Sequence, residues 1–240
     1  MGYRLQRHPF DVSAHFRHSL VLAYALPAGA LEPLLPPTLE PDRHGELGFV
    51  AAAFVQTEKM RPSFLPAVLG LDSFLGGYRI FVRVAGRRSL RGLYILRSDT
   101  DRRLLTFFGN RLTSYRYRTV DAGFHLDGDE LRVEVRPGVS IAADLSRRPG
   151  PLPAESPFSS VEEARRFAGP LPYTFHHERE TGRLLGVRGV RSSWDPQPVA
   201  VDVGELSFFS PERFGAEPVL ANVFYVANVD YRWERGRLIT

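Results

Sequence analysis

The fold of this chain is decided by the segment from Leu93 to Arg118, which reads LYILRSDTDRRLLTFFGNRLTSYRYR. Its first part, around Tyr94–Leu96, is extended. Its last part, Ser114–Arg118, alternates with period two and is typical of a strand with two dissimilar faces. Between them we expect a short helix over Asp101–Phe108. A helix held this tightly between two strands is expected to plug or cap a sheet.

The helix has its own sequence signals. Asp99 and Thr100 are suited to an N-cap, and Asp101 would place a negative charge in the first turn. Gly109-Asn110 is typical of a left-handed helix end. One apolar face at helical spacing is predicted from Leu104, Leu105, Phe107 and Phe108.

The rest of the chain is rich in strand patterns. Apolar or alternating runs predict strands at His15–Leu26, Leu47–Gln56, Tyr78–Ala85, Val199–Phe209 and Asn222–Trp233. Leu47–Gln56 is apolar on both alternating faces, so we expect it to be buried on both sides.

Turn and cap signals separate these runs. Asp127-Gly128 and Thr181-Gly182 each lie between two strand-like runs and predict hairpins. Pro27–Leu35 is expected to form a short helix, and Ser160–Glu163 reads as a capping box that opens another helix to Phe167.

Many strands, few short helices and no regular alternation of strand and helix indicate a mainly β protein of the α+β class. We expect a closed, largely antiparallel β-barrel with short helices at its edges. Such a barrel can hold a ligand in its lumen. One domain over residues 1–240 is expected.

Composition narrows the functional classes. The chain is 43% hydrophobic and 24% charged, which supports a sizeable core, and it has no cysteine for a disulfide or thiolate metal site. No apolar run is long enough to span a bilayer and no export signal is seen, so we expect a cytoplasmic protein with no membrane association.

The net charge of +4 does not indicate a nucleic-acid-binding protein. The basic residues are scattered along the chain and interleaved with acidic ones, without a clustered stripe. Of 31 basic residues only Lys59 is a lysine. Lys59 is either a Schiff-base nucleophile or, as its position in a loop favours, a solvated side chain.

The common catalytic motifs are missing. The sequence has no G-x-S-x-G, G-x-G-x-x-G, P-loop or H-E-x-x-H motif, and no cofactor is expected. His176 and His177 would point to opposite faces of a strand, so a shared metal is not expected either.

Two arginine positions suggest an anion site. Period-two counting places Arg17 on the face of Ser19 and Val21, towards a barrel interior, where it would need a carboxylate partner. The competing outcomes for Arg17 are a salt bridge, for example to Asp230, or exposure at the strand end. Arg116 is either one of an anion-binding pair or part of a solvated outer face.

The chain resembles a known family from Leu31 to Asp42, LEPLLPPTLEPD, and in the strand Gly77–Val82. These stretches and the central segment resemble the YqjF-like family of uncharacterised bacterial proteins over roughly residues 10–233. That family is similar, more distantly, to acetoacetate decarboxylase. The resemblance implies a closed conical β-barrel with a ligand cavity.

The resemblance also has implications for chemistry. Acetoacetate decarboxylase uses a lysine that forms a Schiff base, and the matching stretch here, Phe107–Arg111, contains no lysine. An arginine of that enzyme matches Arg17. Gly76-Gly77 stands where YqjF-like members often carry a glutamate. The resemblance therefore implies the cavity without the nucleophile.

Two hypotheses follow. The first is a protein that binds a small, acidic organic molecule in a barrel cavity. The second is an enzyme acting on a small oxo-acid without a Schiff base, using Arg17, Arg111 and a tyrosine. Homo-oligomer formation is left open. The candidate ligand-binding residues are Arg17, Arg79, Asn110, Arg111 and Arg116.

Overall fold

The computed structural model describes residues 6–146, 150–167 and 171–239. The chain is mainly β there, as predicted. Its strands are β1 Val12–Pro27, β2 Leu39–Pro41, β3 Leu47–Pro62, β4 Leu71–Val84, β5 Arg87–Thr100, β6 Tyr117–Thr119, β7 Asp121–Asp127, β8 Glu130–Arg136, β9 Val139–Asp144, β10 Tyr173–Glu178, β11 Arg183–Arg191, β12 Gln197–Pro198, β13 Ala200–Leu206, β14 Val219–Trp233 and β15 Arg237–Ile239.

Four short α-helices accompany the strands, and none of these helices has the length and apolar character that crossing a bilayer requires in the described ranges. Two single turns of 3-10 helix also occur, at Glu32–Leu34 and Ala67–Leu69. The α-helices are α1 Ala28–Leu31, α2 Arg103–Leu112, α3 Val161–Phe167 and α4 Pro211–Phe214.

The large sheet is almost entirely antiparallel. Hydrogen-bonded neighbours run in the order β14, β1, β3, β4, β5, β10, β11, and only β5 pairs in parallel, with β10 and β6. β11 also pairs with β14, through Gly189 opposite Trp233 and Arg191 opposite Tyr231. The pairings therefore pass through seven strands and return to β14.

A second sheet, in the order β13, β9, β8, β7, shares a core with one face of the large sheet. Tyr78 and Ile80 of β4 face this core, together with Leu131 and Val133 of β8. Because side chains alternate along a strand, Arg79 points to the opposite face of the large sheet. β3 is buried on both faces, as predicted.

The central helix is displaced from its predicted position. The predicted N-cap residues Asp99 and Thr100 still belong to β5. The Asp101 carboxylate accepts a hydrogen bond from the Phe74 backbone N–H at 2.9 Å instead of lying in the first turn of the helix. α2 therefore begins at Arg103 without a side-chain cap. The predicted helix over Asp101–Phe108 is present, but it begins and ends later in the chain than predicted, at Arg103 and Leu112.

Gly109 does not end the helix, which continues through Asn110 to Leu112. The glycine is needed for packing, because a Cβ at this position would lie 2.5 Å from Cδ2 of the Tyr117 ring. The predicted strand Ser114–Arg118 is also shorter than expected, since Arg116 adopts a left-handed φ of 55° and β6 begins only at Tyr117.

The apolar face of α2 is only partly covered. Leu105 packs against a buried cluster that includes Phe16 and Val55. Leu104, Phe107 and Phe108, in contrast, are 52%, 60% and 48% exposed. The expectation that this helix plugs the sheet is therefore correct for one residue of its apolar face and wrong for three.

Local turn and cap signals were more reliable. The two predicted hairpins are present as β7–β8 and β10–β11, with Gly128 and Gly182 at positive φ. Ser160 Oγ accepts a hydrogen bond from the Glu163 N–H at 3.1 Å, whereas the Glu163 carboxylate bonds the N–H of Ser159 rather than that of Ser160. The predicted helix over Pro27–Leu35 splits into α1 and one 3-10 turn.

A buried carboxylate holds β2 against the large sheet. Asp42 follows β2, is fully buried, and accepts hydrogen bonds from Arg83, whose Nε lies 2.8 Å away, and from Arg91. Its backbone N–H donates to the Phe81 carbonyl at 2.9 Å. This ion cluster joins β2, β4 and β5.

We expect Asp42→Ala to lower the free energy of unfolding by about 3 kcal/mol, because it leaves two largely buried guanidinium groups without their shared carboxylate. The matched control is Glu32→Ala, which removes a carboxylate from an exposed pair with Arg43 and is expected to cost about 1 kcal/mol or less. Urea unfolding measures both. Equal effects would contradict the structural role of Asp42.

Candidate functional site

An interior cavity of about 110 Å³ lies on the face of the large sheet opposite the second sheet. β1, β3, β4, β5, β10, β11 and β14 all contribute to its wall. Most of the wall is apolar, and its polar side chains are Ser19, Arg79, Ser98, Tyr115, Tyr117, Thr174, Arg191, Trp194, Tyr231 and Trp233.

Arg79 reaches this cavity because of its position on β4. Gly77 lies two residues earlier on the same face and has no side chain, so the guanidinium folds across it; a Cβ at Gly77 would lie 2.7 Å from Nη2 of Arg79. Nε of Arg79 is buried and has no hydrogen-bond partner among the described residues. Burial lowers the pKa of Arg79.

Three tyrosines surround this guanidinium. The Tyr115 hydroxyl is buried and has no hydrogen-bond partner in the described part of the chain. Burial raises the pKa of Tyr115 well above its ordinary value, that of Tyr117 to about 12, and that of Tyr231 as well. All three phenols therefore keep their protons near neutral pH and can donate hydrogen bonds.

The tyrosines are held in place by contacts outside the cavity. Asn110 of α2 accepts a hydrogen bond from the Tyr117 N–H at 2.7 Å and donates one to the Tyr117 carbonyl at 2.9 Å. Buried Asp99 binds Arg97 at 3.0 Å and Arg118 at 3.1 Å, which fixes β6 beside the end of β5. Asn110 is thus a structural clamp for the site rather than a residue in its wall.

A second guanidinium, that of Arg191, also lines the cavity. It lies 4.7 Å from the centre of the Trp194 ring, and burial lowers its pKa. Nε1 of Trp194 is buried without a hydrogen-bond partner among the residues described. The polar part of the wall consequently offers N–H and O–H donors, and no carboxylate of the described residues lines it.

Of the five predicted ligand-binding residues, Arg79 alone lies in the cavity wall. The prediction that Arg17 faces the interior is wrong: its side chain is 57% exposed and pairs with Glu58 at 3.3 Å. The physical reason is a bulge, because β3 pairs with Phe16 and His18 and skips Arg17. Period-two counting fails at that residue.

The remaining candidates also lie elsewhere. Arg111 is exposed on α2. Arg116 is exposed, which agrees with the alternative interpretation that it belongs to a solvated face, and it donates a hydrogen bond to the Tyr94 hydroxyl at 3.4 Å. Lys59 is exposed on a bulge of β3, where its N–H bonds the Asp72 carboxylate, and it does not line the cavity.

The two neighbouring histidines, His176 and His177, follow each other on β10. His177 Nδ1 bonds the Thr38 hydroxyl at 3.1 Å. Within residues 6–146, 150–167 and 171–239, no group of three or more histidine, aspartate or glutamate side chains is arranged to hold a metal ion.

Sequence reasoning missed Arg191, Trp194 and Tyr231. One signal was available, since Gly77 precedes Arg79 by two residues and Gly189 precedes Arg191 by two. In each case the glycine leaves room on the cavity face: a Cβ at Gly189 would lie 1.8 Å from the Tyr231 hydroxyl. The period-two pattern did place Tyr115 and Tyr117 together on the face opposite Arg116.

Solved structures of known proteins share this fold. An acetoacetate decarboxylase from Legionella pneumophila matches with a TM-score of 0.65 and 12% identity over 97% of this chain and 88% of that one. The enduracididine biosynthesis enzyme MppR, complexed with pyruvate, matches with a TM-score of 0.66 and 13% identity over 97% and 90%. An acetoacetate decarboxylase-like enzyme from Sphingomonas wittichii RW1 matches with a TM-score of 0.61 and 13% identity, over 97% of this chain and 93% of that one.

Identities this low show a common fold and no common activity. They confirm the expected likeness to acetoacetate decarboxylase, whereas the narrower resemblance to YqjF stays a prediction. No curated protein is similar enough to count as a match. The model of DUF2071, described as "Uncharacterized conserved protein (COG2071)", matches residues 13–230, and the chain belongs to this family.

Proposed function

We propose that this protein binds a small organic acid in the lumen of a closed β-barrel, with the carboxylate on Arg79. The ring of strand pairings from β14 through β11 and back supports the barrel interpretation. The observation that carries the proposal is the inward-facing, partly buried guanidinium of Arg79, whose Nε is buried without a hydrogen-bond partner and which has no acidic neighbour among the described residues.

The energetics favour an anion as the missing partner. Removing a charge from water without a partner costs several kcal/mol, and folding alone gives Arg79 no compensating carboxylate. A ligand carboxylate can accept two parallel hydrogen bonds from a guanidinium. The Tyr115 hydroxyl, also unpartnered, is a further donor in the same cavity.

The size of the cavity limits the acid. A cavity of ~150 Å³ holds a molecule of the size of benzene, so 110 Å³ suits an acid smaller than benzene, with about two to three carbons. MppR, which has the same fold, was solved with pyruvate, a three-carbon oxo-acid. This supports the size class without assigning pyruvate to the present chain.

The wall chemistry favours binding over catalysis. No lysine, histidine, aspartate or glutamate of the described residues lines the cavity, so it offers no amine nucleophile and no ordinary general base. The tyrosines keep their protons because burial raises their pKa values.

The second candidate function is an enzyme that acts on a small oxo-acid without a Schiff base. The observation in its favour is Tyr115, whose unpartnered hydroxyl could donate a proton or a hydrogen bond to a substrate carbonyl. Consumption of pyruvate or acetoacetate by the protein, lost in Tyr115→Phe, would establish this function in place of simple binding.

We expect Arg79→Gln to weaken the binding of pyruvate or propionate about 10- to 150-fold, the range for a lost hydrogen bond to a charged group. Calorimetric titration measures the affinity. Arg17→Gln and Arg111→Gln remove the same charge from exposed positions outside the cavity and should leave affinity unchanged. An equal loss in all three variants would mean that only net charge matters.

The same titrations should show a flat dependence on pH from about pH 6 to pH 9, because an arginine keeps its proton and the raised pKa values of the tyrosines lie above this range. Affinity should fall only when the acid itself is protonated. A change centred near neutral pH would point to a titrating group that the cavity wall does not contain.

In the absence of ligand we expect Arg79→Met to raise the free energy of unfolding by about 1–4 kcal/mol, because an apolar side chain replaces an unpaired buried charge. Arg97→Met on the next strand is the control and should lower it. Arg97 pairs with Asp99 at 3.0 Å and lies 4.2 Å and 4.3 Å from the ring centres of Tyr78 and Phe208. A comparable decrease in the free energy of unfolding in both variants would identify Arg79 as a structural residue.

We also expect no Schiff base. Incubation with acetoacetate and borohydride should give no covalent adduct by mass spectrometry, since the cavity has no lysine and Lys59 is exposed elsewhere. A stoichiometric adduct on Lys59 would contradict this and restore an amine mechanism.

A further inference from the structure

A large apolar groove lies beside the cavity. It has a volume of about 540 Å³ and runs between α2, the segment that joins β3 to β4, and the end of β14. Its walls are formed largely by leucine and phenylalanine side chains, including Leu69, Leu71, Leu104 and Phe108.

Several of these side chains are open to solvent. Leu69 is 61% exposed, Leu104 is 52% exposed and Phe108 is 48% exposed. A contiguous apolar patch of this kind is characteristic of a binding surface. It also explains why α2 keeps an apolar face that the core does not use.

The groove and the cavity have three wall residues in common. Tyr115, Tyr117 and Trp233 line both spaces. The Tyr115 hydroxyl is close enough to Arg79 for each to influence the pKa of the other, while its side chain borders the groove. A charged binding point and an apolar surface are thus separated by a single layer of aromatic side chains.

From this arrangement we infer that the ligand is an amphipathic carboxylate: its carboxylate lies on Arg79 and its alkyl chain passes the aromatic layer into the groove. This inference rests on the proposed acid-binding function and extends it to a substrate class. The cavity alone accommodates an acid of about two to three carbons, so a longer chain has to continue into the groove.

An alkyl chain fits the groove better than a protein partner does. Arg61 is the one arginine, lysine, aspartate or glutamate among the described residues of its wall, and its guanidinium already donates to the carbonyls of Leu65 and Lys59. His8 is buried, and its pKa is lowered to about 4 by desolvation, so it is neutral at pH 7. Protein interfaces carry a polar rim with many hydrogen bonds, whereas an alkyl chain needs none.

The test uses straight-chain carboxylates from propionate to decanoate, titrated into the full chain below their micelle concentrations. Tryptophan fluorescence is a suitable signal, because Trp194 and Trp233, the two tryptophans of the sequence, line the cavity. Affinity should rise about fourfold for each methylene that enters the groove, the value for burial of one CH₂. Arg79→Gln should weaken every acid of the series.

A pair of leucine variants separates the groove from general surface effects. Leu104→Gln in the groove should weaken decanoate about fivefold or more. Leu126→Gln on the β7–β8 hairpin, where the leucine is 48% exposed outside the groove, should leave decanoate affinity unchanged.

Each contrary outcome has a distinct meaning. If short acids bind through Arg79 but affinity does not change with chain length, the inference fails and the proposed function stands. If no acid of any length binds, the proposed function fails with it. If decanol and decanoate bind with equal affinity and Arg79→Gln changes neither affinity, the groove binds alkyl chains independently of the cavity and the inference is overturned. The inference would also be overturned if the protein forms a dimer that Leu104→Gln dissociates and if carboxylate affinity does not depend on chain length.

Discussion

The proposed function depends on one unusual feature, the inward-facing guanidinium of Arg79, whose Nε is buried without a hydrogen-bond partner and which has no acidic partner in the described part of the fold. Strand alternation brings Arg79 to the cavity face, and the missing side chain of Gly77 gives it room. Seven paired strands contribute to the cavity wall around it. Because an unpaired charge inside a protein is costly, we propose that a ligand of opposite charge compensates it.

The other buried ionic groups of the chain show that this is an exception. Asp42 receives hydrogen bonds from two arginines, and Asp99 pairs with two more. In both clusters the carboxylate is fully buried and the guanidinium groups reach towards the surface. Arg79 differs from these clusters, since its guanidinium faces the cavity and no carboxylate of the described residues lines that cavity. The two carboxylate clusters hold strands together, whereas Arg79 is the residue for which we propose a ligand.

Local sequence rules were enough for the long strands and the two hairpins, because period-two patterns and Asp-Gly or Thr-Gly turns depend on neighbouring residues only. They failed where a distant group intervened. Asp101 accepts a hydrogen bond from the Phe74 N–H and lies outside α2, and Gly109 packs against the Tyr117 ring instead of ending the helix. One bulge at Arg17 was sufficient to turn the favoured ligand residue out to solvent.

The candidate site was predictable only in part for the same reason. Arg79 could be chosen from its strand pattern, but Arg191 and Tyr231 come from β11 and β14, whose pairing with each other no short sequence window reveals. The exposure of the apolar face of α2 could not be predicted either, since the spacing of its leucine and phenylalanine residues is that of an ordinary core helix. What such a face contacts is decided by the rest of the fold.

A crystal structure of the protein grown with 3-bromopropionate tests the proposed carboxylate site most directly. We expect an anomalous bromine signal inside the cavity, with the carboxylate within hydrogen-bond distance of the Arg79 guanidinium and one of its oxygens near the Tyr115 hydroxyl. A cavity without bromine, together with Arg79 paired to a carboxylate of the protein itself, would contradict it.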